Sequence, residues 1–112
     1  MSTNATIILT FLAVIFVISG LSKASGNEKG LSGTRDVNVK DGIARVIGFL
    51  EALLAFGLIL GLKWSVLAYP SLIALWFIMA GAIFVHFKAS KVRTAFPAFF
   101  LLTLISIALV LI

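Results

Sequence analysis

Cysteine is absent from the chain, and histidine occurs once, as His86. Disulfides, thiol redox couples, Cys-ligated zinc and iron–sulfur clusters are therefore excluded. No metal is expected either, since a single histidine supplies no ligand set without a second chain. Charge is scarce as well: nine Lys and Arg and four Asp and Glu make up 12% of the residues. A soluble domain carries about 25%, so this composition cannot build a water-facing shell. What fills the chain instead is apolar, 62% of it, with a mean hydropathy of +1.21. At 112 residues it reads as one membrane domain, 1–112. Nucleic acid is not an expected partner. The net charge of +5 lies in short loops between oily runs, where membrane topology and anionic head groups account for it.

A helix needs about 20 mostly apolar residues to cross a hydrocarbon core of roughly 30 Å. Four runs qualify, at about 5–21, 43–62, 66–87 and 94–112. Backbone groups in lipid must be satisfied internally, so these are helices. The fold class is all-α: a polytopic membrane protein with a four-transmembrane-helix bundle. The first run has no basic residue ahead of it and is long for a signal peptide, so it is expected to remain as a span.

The connections differ in charge. Residues 22–42 carry Lys23, Lys29, Arg35 and Lys40, with Arg45 just inside the next span, and residues 88–93 carry Lys88, Lys91 and Arg93. The turn between spans 2 and 3 has only Lys63. Basic short loops stay on the cytoplasmic side. This predicts an inner (cytoplasmic) membrane protein with loops 22–42 and 88–93 inside and both termini outside. Trp64 and Tyr69 suit the outer interface, and Pro97 suits the first turn of span 4. Pro70, early in span 3, allows a slight kink. The first connection, with Gly26, Gly30 and Gly33 among Asn, Ser and Asp, reads as a mobile solvated linker.

Within "GFLEALLAFGLILG" at 48–61 stands one acid, Glu51. It lies nine residues beyond Gly42, about 13 Å into the bilayer. A charge at that depth costs several kcal/mol, so the side chain should face protein or a wet cavity. Ala44, Gly48, Ala52 and Ala55 form a small-residue ridge beside it, and Gly57 and Gly61 extend that ridge as a GxxxG pair, where membrane helices approach closely. Thr103 on span 4, with Ser106 one turn on, is expected near the same depth as a hydrogen-bond partner. Lys23, His86 and Arg45 are expected to form a basic mouth. With spans ending at one level, Glu51 sits about four turns from Lys23, beyond easy reach of a lysine stem. One reading makes Glu51 a neutral hydrogen-bonded acid that fixes helix register. The other makes it a proton- or ligand-binding group. Trp76, and Phe96, Phe99 and Phe100, read as packing or lipid contacts.

Three segments together resemble the DoxX-like family of small four-helix membrane proteins: "SGLSK" at 19–23, "GFLEALLAFGLILGL" at 48–62 and "MAGAIFVH" at 79–86. The tail "MSTNATII" departs from the resemblance, since many members carry basic residues before their first helix. Residue by residue, the resemblance directs interest to Lys23, Glu51 and His86. It implies an accessory or anchoring subunit of a membrane oxidoreductase, with quinone as the ligand to look for. Expected partners are the lipid bilayer and other membrane protein subunits or a homo-oligomer. Two alternatives stand beside it. One is a small proton-coupled transporter using Glu51. The other is a structural or chaperone-like protein that packs client helices against Gly57 and Gly61. Catalysis by the chain alone is not expected, since no nucleophile–base pair and no second membrane acid accompany Glu51.

Overall fold

The computed structural model describes residues 2–112. Five α-helices follow one another: α1 Thr3–Ala24, α2 Glu28–Asp36, α3 Asp41–Gly61, α4 Ala68–Lys88 and α5 Phe96–Leu111. Short 3-10 turns, Ser65–Leu67 and Val92–Ala95, lead into α4 and α5. With those turns, α1, α3, α4 and α5 are each long and apolar enough to cross a membrane.

Helix starts follow local chemistry. The Ser2 hydroxyl oxygen accepts the Ala5 N–H at 3.1 Å, capping α1. Pro97 occupies the first turn of α5, where its missing N–H costs nothing. Pro70 is the third residue of α4, still within the first turn, so no kink is required.

The loop at 22–42 corrects the expectation of a mobile linker, because α2 lies inside it. Asn27 Oδ1 accepts the N–H groups of Lys29 and Gly30, at 2.9 and 3.3 Å, and so opens the helix. Leu31 is buried and pins the helix to the bundle. Arg35 donates to Asp41 and to Glu28, at 2.7 Å each, clasping α2 to the start of α3. Those two carboxylates hold the Arg35 guanidinium more firmly protonated than usual. Gly30 serves close approach here: a side chain at that position would collide with Ser22. Asn38, in the left-handed region at φ 65°, turns the chain toward α3.

The four long helices form an up-down-up-down ring. α1 neighbours α3 and α5, α4 neighbours the same two, and α3 and α5 lie diagonally opposite with no backbone contact. Leu9, Leu12, Phe16, Leu58, Leu72, Leu75 and Ile105 fill the middle, all fully buried. The α1–α3 seam is the tightest. A Cβ added to Gly20 would come within 2.5 Å of the Gly48 carbonyl oxygen, and one added to Gly48 within 2.5 Å of Lys23 Cβ. Gly57 and Gly61 meet Ser71 and Ala68 of the chain's own α4. That corrects the idea of a Gly57–Gly61 surface offered to client helices, since the ridge is already occupied.

Candidate functional site

Glu51 lies halfway along α3, on the face packed against α1, and is 1% exposed. Its Oε1 accepts a hydrogen bond from Lys23 Nζ at 2.6 Å. The expected four-turn separation is thus overturned. Lys23 Cβ lies against Gly48, and Glu51 is only one helical turn further along. The helices do not end at one level: α3 begins seven residues before Gly48, about 10 Å beyond the position of Lys23. Glycine at 20 and 48 brings the two axes close enough for the lysine stem to bridge the seam.

An ammonium has three donors, and the contact with Glu51 uses one. The Lys23 side chain remains 19% exposed and forms part of the wall of a groove of about 670 Å³. This groove lies between the first half of α3, with Ile43 and Ile47, and the second half of α4, with Phe77 and Ile78. α2 and residues 37–40 roof it at the basic end of the bundle. It exists because α3 and α4 meet closely at Gly57–Ser71 and Gly61–Ala68, at the far end, and part from there.

His86 lines the same groove from α4 and is half-buried. The Thr94 hydroxyl donates to the Lys91 carbonyl at 2.8 Å. With that hydroxyl hydrogen engaged, the 2.6 Å contact between Thr94 Oγ1 and His86 Nδ1 is donated by the imidazole, and in the neutral ring Nε2 is then a hydrogen-bond acceptor. Lys23 and His86 thus share a groove, while Arg45 does not join them. Its guanidinium, exposed, donates from Nε to the Ala24 carbonyl at 3.1 Å and caps the C-terminus of α1. Thr103 is likewise removed from the site. It is exposed, and its hydroxyl donates back to Phe99 O at 2.9 Å, on a helix that lies diagonally opposite α3 with no backbone contact to it. Depth alone had paired it with Glu51, and depth says nothing about which helices are diagonal. Ser106 instead accepts from Trp76 Nε1 at 3.1 Å, tying α5 to α4.

Sequence reasoning missed the roof, Thr34, Val37 and Lys40, and Gly81 on the α4 wall. The signal for the roof was present in Asn27–Glu28, a helix-start pair ahead of Leu31. Among the described residues, no group of three or more His, Asp or Glu could hold a metal ion.

Four apolar crossing helices and an all-α ring define an integral multi-pass membrane protein. A family model described as the DoxX-like family matches residues 7–108, and the chain belongs to that family. No curated protein and no solved structure matches it.

Proposed function

We propose that the chain is an accessory or anchoring subunit of a membrane oxidoreductase and holds a quinone head group in the groove beside Lys23. The protein sits in the inner membrane in this reading, with residues 22–42 and 88–93 cytoplasmic and both termini outside.

The observation that carries the proposal is the Lys23–Glu51 pair at the wall of a mostly apolar groove. A lone ammonium there would select an anion. Balanced by a buried carboxylate, the same ammonium is a strong donor of little net charge, suited to a neutral carbonyl oxygen. His86 Nε2, on the α4 wall, offers an acceptor for a hydroxyl, so the groove presents the two complementary groups that a carbonyl/hydroxyl ring needs. With one histidine and no cysteine to ligate redox metals, electron-carrying groups are assigned to a partner. Proton-coupled transport by Glu51 is the weaker reading. The carboxylate is 1% exposed and already held by Lys23, whereas a carrier acid must open to water on each side in turn.

The test is purification from membranes in mild detergent, with extraction of quinone and mass spectrometry of accompanying subunits. Oxidoreductase subunits and quinone are expected with the wild type, with quinone lost in Lys23→Met. A solitary chain without quinone, or proton-driven uptake in proteoliposomes that disappears in Glu51→Gln, would overturn the proposal.

A further inference from the structure

Gly81 lies on the α4 wall of the groove, and a Cβ built there meets nothing within 4 Å. The same is true of Gly33 on the roof. Gly20, Gly48, Gly57 and Gly61 are the opposite case, each pressed against a neighbouring helix. Glycine inside a helix costs about 1 kcal/mol relative to alanine. At the packed positions close approach offsets that cost, and at Gly81 no packing does. What Gly81 provides is open volume.

The direction of that volume is set by its surroundings. Phe77 and Ile43, on opposite rims, are 66% and 54% exposed, on faces that meet lipid. Toward the polar end the groove is walled by α2, which is held down by buried Leu31, by buried Val37 and by the Arg35 clasp. The side is open and the top is covered. The volume, about 670 Å³, is that of a ligand site. It joins an apolar slot that opens on the acyl chains to the free donors of Lys23 within.

We infer that the groove is filled sideways from the bilayer, by a molecule whose head reaches Lys23 while its long hydrocarbon tail leaves between Ile47 and Phe77 into the lipid. Gly81 is the residue that keeps this passage open. The inference rests on the head-group reading proposed above and adds the tail and the route.

Binding to the chain in nanodiscs, corrected for protein-free discs, tests it with two probes: a quinone carrying a long isoprenoid tail, and the same ring with a methyl group in place of the tail. Gly81→Phe is compared with Gly42→Phe, a second open glycine that does not line this groove. The tailed quinone is expected to bind the wild type and Gly42→Phe alike, and Gly81→Phe at least tenfold more weakly. The tailless ring is expected to bind the wild type at least tenfold more weakly than the tailed one. Equal binding of both probes, or tailed binding untouched by Gly81→Phe, would overturn the route while leaving the quinone reading in place. Should neither ring bind, the head-group reading falls, and a phospholipid spin-labelled on its acyl chain decides the route by itself. A motionally restricted lipid component that Gly81→Phe removes supports it, and the absence of such a component overturns it.

Discussion

α3 has two sides that differ in kind. Against α1, Gly48, Ala44 and Ala52 are buried with no clearance, and the one polar side chain, Glu51, is consumed by Lys23 across the seam. Against α4, the backbones come close at Gly57 and Gly61, and the part of that side at Ile43 and Ile47 opens into the groove. The same small-residue vocabulary therefore does two jobs in one helix. Where the opposing helix also offers glycine, the backbones meet. Where it offers Phe77 and Ile78, they stand apart. In lipid, association depends on packing and on satisfied polar groups more than on hydrophobic exclusion. A gap left between α3 and α4 is then tolerable if lipid or a ligand fills it, whereas an unpaired Glu51 in the seam is not.

The comparison breaks most readily at the seam. Gly48→Leu drives a side chain into Lys23 and the Gly20 carbonyl. It is expected to cost about 3 kcal/mol or more, or to prevent recovery of folded protein, read by thermal unfolding in detergent. A smaller effect is expected where α4 joins α5. Ser106→Ala leaves Trp76 Nε1 without its acceptor and should lower stability by about 1 kcal/mol on the same measurement. The gap carries no cost at all: Gly81→Leu should leave stability at the wild-type value or raise it by up to about 1 kcal/mol, because no neighbour is displaced and a helical glycine is removed. Equal costs at Gly48 and Gly81 would show that the two sides of α3 are packed alike.

The spans and the inward face of Glu51 were legible in the sequence, because run length sets crossing helices and small residues three and four positions from the acid mark a packed face. The partner of Glu51 was not legible. Its identity depends on the stagger of α1 against α3, and that stagger is fixed by the Gly20–Gly48 contact and by the length taken up in α2. Thr103 was misplaced for a related reason: residues at equal depth can sit on diagonal helices. α2 was lost to the assumption that loop glycines mean mobility, although Gly30 is where the helix lies against Ser22. The groove has no sequence signature of its own. Gly81 reads like any other glycine of a membrane helix until its empty surroundings are seen.

The Lys23–Glu51 contact across the seam is tested most directly by a double-mutant cycle on thermal stability in mild detergent, with Lys23→Met, Glu51→Leu and the pair together. Lys23→Met is expected to cost about 3 kcal/mol, since it leaves Glu51 buried without its partner, and Glu51→Leu less, since the Lys23 ammonium still borders the groove. The double variant should cost less than the sum of the two by at least about 1 kcal/mol. Additivity within about 0.5 kcal/mol would mean that the two side chains do not meet inside the bundle.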